Sequence, residues 1–327
     1  MLLKMAADKG YIDAMNRYAY MRLSEPDFEH DFNEGIKYIK MAAEKGNPNS
    51  MYAYGSFLSI DEQIGDLVGD KKEAAKYFKL AADEGHVEAM FSYGSMLIKG
   101  DGIESDIEEG IKYIKMAADQ GSTESMVLFG RMLYNGNGIE QNHEEGLRYL
   151  KIAADKNDLQ GMFLYGYLNF NNDGETEENI ENIKYIKAAA DGGLIYAMYI
   201  YGKCLFKGNG IEPNEEEGAK YIKMSADNGE EDAMYLYGLL VVSELVESTD
   251  RKEGVAYLKN AADKGHVDSM NFYGKMLLDG DSVLCDKKAA SVYLKNAADK
   301  GNVESMYHYG RMLFYGDGII ADKNEAS

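Results

Sequence analysis

The stretch Val87-Glu88-Ala89-Met90-Phe91-Ser92-Tyr93-Gly94-Ser95-Met96-Leu97-Ile98-Lys99-Gly100-Asp101-Gly102, continued by Ile107-Glu108-Glu109-Gly110-Ile111-Lys112-Tyr113-Ile114-Lys115-Met116-Ala117-Ala118-Asp119-Gln120-Gly121, reads as two helices joined by a turn. Met90, Tyr93, Gly94 and Leu97 stand at i, i+3, i+4 and i+7, which places them on one buried helical stripe. Gly100-Asp101-Gly102 stops that helix, because glycine takes up the left-handed C-terminal conformation without a Cβ clash. The second helix, from about Ile107 to Gln120, buries Ile111, Ile114, Ala117 and Ala118, carries Tyr113 on a flank and closes at Gly121. A glycine within a helix costs about 1 kcal/mol relative to alanine. Its presence at Gly94 therefore predicts that two backbones come close there, with the alanine pair as the matching shallow surface.

The same pattern recurs along the whole chain. The last residue of the Ala-Ala-Asp-x-Gly block falls at Gly10, Gly46, Gly85, Gly121, Asn157, Gly193, Gly229, Gly265 and Gly301, spaced 36 residues apart except for 39 between Gly46 and Gly85. A second anchor, Met-x-x-Tyr-Gly, keeps the same beat at Met51, Met90, Met198, Met234, Met270 and Met306, with Met126 heading the variant that ends in Phe129-Gly130. Each hairpin leaves an apolar face that only the next can cover, so the repeats are expected to be stable as a stack. Eighteen helices or fewer are expected, antiparallel within each unit. Three departures stand out. Three extra residues fall within Ile60 to Asp70, Val241-Val242-Ser243-Glu244-Leu245 replaces the Gly-x-Gly turn so that the helix before it is expected to run on, and Asn172-Asp173-Gly174-Glu175 is irregular.

These residues resemble the Sel-1-like repeat, a relative of the tetratricopeptide repeat. The resemblance rests on the Tyr-Gly helix, the Gly-x-Gly-Ile turns at Gly136-Asn137-Gly138-Ile139, Gly208-Asn209-Gly210-Ile211 and Gly316-Asp317-Gly318-Ile319, and the Glu-Gly-Ile-Lys-Tyr-Ile-Lys-x-Ala-Ala-Asp-x-Gly helix. It implies an all-α fold, an α-solenoid of tandem antiparallel helix hairpins wound as a right-handed superhelix. It covers residues 1–327 as a single continuous array of about nine repeats, with a partial repeat at each end, as expected of a piece of a longer array or protein. The implied function is that of a protein–protein interaction scaffold or adaptor without catalysis of its own. The alternative it leaves open is the regulatory repeat region of a larger enzyme, for example beside a protein-kinase domain. Disulfide-rich bacterial members pair cysteines between the helices of each repeat, a pattern that Cys204 and Cys285 do not follow.

Charge narrows the partners. The formal net charge is −21, which repels phosphate backbones and anionic lipid, so nucleic acid and membrane surfaces are not expected partners; its positive readings are simple solubility first, and basic peptides. No apolar run approaches the roughly 18 residues of a membrane span. Two cysteines at unmatched repeat positions suit a reducing compartment, and a cytoplasmic location is expected. The opening Met1-Leu2-Leu3-Lys4-Met5-Ala6-Ala7-Asp8 reads as the tail of a repeat rather than a signal peptide.

Catalytic chemistry leaves no trace in the pattern. His30, His86, His143, His266 and His308 are scattered and read as surface residues; His86 and His266 share a helix-start position. The acidic turn Asp101-Gly102-Ile103-Glu104-Ser105-Asp106 lacks the spacing of a calcium loop, and the Gly-x-Gly segments lack the Gly-Lys-Ser/Thr of a phosphate loop. No cofactor, metal or small-molecule substrate is expected.

A partner is therefore expected on the first helices, which in such solenoids line the concave side. With the stripe methionine as position zero, positions −2, +2, +5 and +9 point away from the hairpin partner. Position +2 is apolar in five consecutive repeats, at Leu128, Leu164, Ile200, Leu236 and Phe272, while position +5 there reads Arg131, Tyr167, Lys203, Leu239 and Lys275. This apolar line edged with cations reads either as a groove for an amphipathic or extended peptide bearing some acidic residues, or as packing between the first helices of successive repeats.

Overall fold

The computed structural model describes residues 2–24, 31–170, 176–246, 250–281 and 285–326. These residues form eighteen α-helices and one isolated β-bridge, between Ile64 and Leu67. Contacts divide the chain into two units, Met1–Gly161 and Met162–Ser327. In the first, the first helices of the hairpins are α2 (Ile12–Ser24), α4 (Pro48–Leu58), α6 (Val87–Lys99) and α8 (Thr123–Asn135). The second helices there are α1 (Leu2–Asp8), α3 (Phe32–Glu44), α5 (Lys71–Asp83), α7 (Ile107–Asp119) and α9 (His143–Asp155). The unit boundary falls within α10 (Leu159–Asn169). Beyond it the first helices are α12 (Ile195–Lys207), α14 (Glu231–Val242), α16 (Val267–Asp279) and α18 (Val303–Tyr315), and the second helices are α11 (Glu177–Asp191), α13 (Glu215–Asp227), α15 (Arg251–Lys264) and α17 (Lys287–Asp299).

Local chemistry sets the helix ends. Second helices start on a side-chain cap such as Asp70, Asp106, Asn142 or Asn214, whose oxygen accepts the N–H three residues on. They close at the anchor position, where the backbone has positive φ from Gly10 to Gly301; Asn157, at φ 65°, is the one substitute for glycine. The three extra residues after Gly46 lie in the loop between α4 and α5 that holds the Ile64–Leu67 bridge. The helix before Val241-Val242 does not run on as expected. It ends at Val242, because Glu244 adopts φ 58° at the position that Gly208 holds one repeat earlier. The Leu245 N–H then closes on the Leu240 carbonyl, as the Asn209 N–H does on Cys204. Of the irregular Asn172-Asp173-Gly174-Glu175, all four residues lie outside the described ones.

The close approach predicted from Gly94 is present, but its partner is a second glycine and not the alanine pair. A Cβ on Gly94 would sit 2.8 Å from the Gly110 carbonyl oxygen, and one on Gly130 2.9 Å from that of Gly146. Gly202 meets Gly218, and Gly238 meets Gly254, in the same way in the second unit. In α9 the alanine pair packs instead onto the small residue at the start of the following first helix: a Cβ on Gly161 would lie 2.7 Å from the Ala153 Cβ.

Tyrosine ties the repeats together. In each hairpin the aromatic ring before the glycine meets the second-helix tyrosine edge to face, as in Tyr93–Tyr113, Phe129–Tyr149, Tyr201–Tyr221 and Tyr273–Tyr293, with centroids 4.8 to 5.1 Å apart. Such pairs contribute about 0.5–1.5 kcal/mol beyond their buried area. The same second-helix hydroxyl then donates to the aspartate of the preceding repeat: Tyr113 to Asp83 and Tyr149 to Asp119 at 2.7 Å, Tyr221 to Asp191 and Tyr293 to Asp263 at 2.5 Å. One residue type thereby joins helix to helix and repeat to repeat.

Candidate partner-binding surface

The register between neighbouring first helices is fixed by one contact set. Lys275, at +5 on α16, donates to Glu304, at −2 on α18, at 2.5 Å, and Asn271 donates to the same carboxylate at 2.6 Å. Position +5 of one first helix thus faces position −2 of the next, and position +1 reaches the same rung. In the second unit the rungs read Tyr167 with Tyr196, Lys203 with Asp232, Leu239 with Asp268, and Lys275 with Glu304.

The expected line at +2 is placed between core and surface. In the first unit Leu128 is half-buried and Arg131 is exposed. In the second unit Leu164, Leu236 and Phe272 are half-buried, packed against neighbouring core residues, and Ile200 is buried, with 9% of its surface exposed. Leu239, Lys203 and Lys275 are half-buried and Tyr167 is exposed. Two of the three expected rim cations are engaged within the chain: Lys275 by Glu304, and Lys203, whose amino group lies 4.7 Å from the centre of the Tyr199 ring.

Sequence reasoning missed Tyr196. Position −2 reads Asp13, Asn49, Glu88, Glu124, Gln160, Asp232, Asp268 and Glu304 in the other repeats, so a tyrosine there is the signal that was available. Tyr196 meets Phe163 edge to face at 5.5 Å, and Tyr167 stacks on the same ring at 5.4 Å. Tyr199 adjoins Tyr196 at 6.0 Å, and its burial, with Asp232 and Glu230 adding to it, pushes the Tyr199 hydroxyl up to about 12.

The matched family model is the Sel1 repeat, over residues 12–47, 48–86, 87–122, 123–158, 195–230, 232–266, 267–302 and 303–326. The chain belongs to the Sel1 repeat family. The unmatched residues 159–194 hold α10, α11 and the irregular Asn172 segment. Among solved structures, a Sel1 repeat protein from Oxalobacter formigenes is similar at 23% identity and a TM-score of 0.69, covering 89% of this chain and 84% of that one. A protective antigen of uropathogenic Escherichia coli strains with an SLR fold is similar at 22% identity and a TM-score of 0.56, over 99% and 76%. No curated protein matches the chain. Sel1 repeat proteins are generally non-catalytic scaffolds for protein interaction.

The remaining candidate residues of this Sel1 repeat chain have structural work. His86 and His266 are not surface histidines: each is a half-buried helix cap whose Nδ1 accepts a backbone N–H, from Ala89 and Ser269 respectively. His86 also stacks on Tyr52, and burial lowers its pKa. His143 is exposed and stacks on Tyr134, His308 is half-buried, and His30 lies outside the described residues. Cys204 is buried, which pushes its thiol up to about 11 and away from reactivity. Cys285 is exposed, and neither cysteine is in a disulfide. Among the described residues no group of three or more acidic, histidine or cysteine side chains is placed to hold a metal ion, and no helix is long and apolar enough to cross a membrane.

Proposed function

We propose that this chain is a protein-interaction scaffold whose first-helix face holds a peptide or protein partner. The observation that supports this most directly is apolar surface left half-open on that face, at Leu128 in the first unit and at Leu164, Leu236 and Phe272 in the second, beside the exposed Tyr167. A face needed only for stacking would bury such side chains, and a mere spacer would carry polar ones there. The contact residues in this reading are Leu128 and Arg131 in the first unit, and Leu164, Tyr167, Ile200, Lys203, Leu236, Leu239, Phe272 and Lys275 in the second. Ile200 supports its neighbours from below, being buried. The working compartment is the cytoplasm, which suits two unpaired cysteines.

The test is Leu164→Ser with Leu236→Ser. An exposed substitution shifts stability by about 0.5 kcal/mol or less, and emptying a buried leucine costs about 2–5 kcal/mol. Half-buried side chains place the expected loss near 1 kcal/mol each. The parent chain and the double variant are used as baits in lysate of the cell of origin and compared by mass spectrometry. A small shift of the urea midpoint with loss of the captured partner supports the reading. A loss near the fully buried value, or unchanged capture, overturns it.

A further inference from the structure

The rung formed by Tyr167 and Tyr196 differs in kind from the rungs beside it. Elsewhere in the second unit, position −2 carries a carboxylate, at Asp232, Asp268 and Glu304. Here two tyrosines, 42% and 38% exposed, stand against the buried ring of Phe163. Tyr167 lies within 18° of parallel to that ring and Tyr196 at 86° to it, so the planes of the two exposed rings are steeply inclined to each other around one buried ring. Such a corner offers two π faces to one guest. Being polar at the hydroxyl and apolar at the ring, it does not need burial by a neighbouring repeat.

The charge beside the corner selects the guest. An open cleft of about 520 Å³ runs from Leu194 and Tyr196 at the start of α12 to Asn228 and Glu230 at the start of α14. Glu230, Glu231 and Asp232 follow one another there, and the Glu230 side chain makes no capping hydrogen bond to α14. Burial, and then the charges of Asp232 and Glu231, raise the Glu230 carboxyl. These carboxylates crowd one another. The groups nearest them are already engaged: Lys264 donates to the Gly229 carbonyl at 2.9 Å, His266 Nε2 lies 3.1 Å from an Asp232 oxygen, and Lys203, on the same rung, sits on the Tyr199 ring. The Lys203 contact also shows that this aromatic group accepts a cation on a ring face.

We propose that the Tyr167–Tyr196 corner is the seat for an arginine or lysine side chain of a basic peptide partner, with Glu230 and Asp232 as its counter-charge. The proposal rests on the scaffold reading above and names the chemistry of its partner. It takes one of the two polarities the sequence left open: the net charge of −21 suits a basic peptide, whereas the +5 cations pointed to acidic residues on the partner. In the second unit Lys275 is spent on Glu304 and Lys203 on Tyr199, so that stretch offers a partner carboxylate little, while the exposed tyrosine rings and the Glu230 carboxylate, with the charge of Asp232 behind it, remain for a cation.

The test uses fluorescence anisotropy with short fluorescein-labelled peptides that alternate leucine with arginine, with glutamine or with glutamate. The full chain is expected to bind the arginine peptide about tenfold more tightly than the glutamine one, a difference within the range of a partly desolvated cation–π contact joined to an ion pair. The glutamate peptide is expected to bind weakest. Tyr196→Leu keeps bulk but removes the π face and is expected to erase the arginine preference; Tyr196→Phe keeps the face and the preference. Glu230→Gln is expected to weaken arginine binding and its salt dependence together. Circular dichroism melts show whether each variant folds. Equal affinity for arginine and glutamine peptides, with loss in Leu164→Ser/Leu236→Ser but not in Tyr196→Leu, overturns the cation seat and leaves the scaffold surface standing. Absence of binding by all three peptides overturns the cation seat, while the scaffold reading is decided separately by the capture experiment.

Discussion

The same glycine position should respond to alanine with opposite signs at two places in this chain. Gly130 in α8 and Gly310 in α18 both stand four residues after the stripe methionine, Met126 or Met306. A Cβ on Gly130 would lie 2.9 Å from the Gly146 carbonyl oxygen and 3.0 Å from Leu150 Cγ, so backbone must move. A Cβ on Gly310 would meet nothing closer than the Ala326 carbonyl oxygen at 3.6 Å, an ordinary contact. Alanine gains up to about 1 kcal/mol of helix propensity at either site. Overpacking typically costs about 1–3 kcal/mol and applies at Gly130 alone. Gly130→Ala is therefore expected to lose up to about 2 kcal/mol, the overpacking less the propensity gain, and Gly310→Ala to gain up to about 1 kcal/mol. Gly130→Leu, with more volume in the same gap, should lose more than Gly130→Ala. Because repeats in a stack open locally, hydrogen exchange followed by mass spectrometry on peptides covering α8–α9 and α17–α18 is the suitable assay, with about tenfold in protection for each 1.4 kcal/mol. Protection in α7, which packs on α8, should fall with Gly130→Ala. Stabilisation by alanine at both sites would refute the close-contact reasoning, and destabilisation at both would show that the glycine serves something other than the close approach of the two helices.

Two further outcomes follow from the ties and turns. Lys115 at 2.6 Å, and then the Tyr149 hydroxyl, hold the Asp119 carboxyl below its ordinary range, so its contribution is present above about pH 4 and is lost as pH falls through the lower folded value. Asp119→Asn should therefore cost no more than about 1 kcal/mol at neutral pH, the pair being half exposed, and the gap to the parent in urea titrations should close on acidification; a gap that widens in acid would contradict this. Glu244→Gly should stabilise by up to about 1 kcal/mol, since a left-handed residue with a Cβ is strained at φ 58°, and the gain should appear as slower exchange at the end of α14.

The hairpins were legible in the sequence because every signal for them repeats. A methionine stripe, a turn glycine and a second-helix alanine pair mean little once, but in phase along the chain they leave one fold. What the sequence hid was pairing. Helical spacing puts Gly94 on the buried stripe, yet nothing in it says whether Gly110 or Ala117 stands opposite, since that depends on how far one helix slides along the other. Tyr113 on a flank gave no hint that it joins Tyr93 within its hairpin and Asp83 in the previous repeat. His86 and His266 looked like surface residues because capping depends on the ring's Nδ1 reaching a backbone N–H three residues on, which is conformation and not composition.

The binding face was harder to read for a related reason. Position +2 was found by asking which residues point away from the hairpin partner, but the neighbouring first helix covers part of that direction, so Ile200 is buried and Leu164 and Leu236 are half-buried. The informative comparison is across rungs. Where +5 and −2 pair as Lys275 with Glu304, the two repeats satisfy each other and leave little charge for a partner. Where the rung reads Tyr167 with Tyr196, both rings contact Phe163 beneath and both tyrosines remain exposed. In an array whose internal contacts recur from repeat to repeat, periodic residues hold the stack, so selection for a partner shows as a break in the period on the first-helix face. Tyr196 in a row of acids and amides is such a break, and replacing it should change what binds more than whether the array folds.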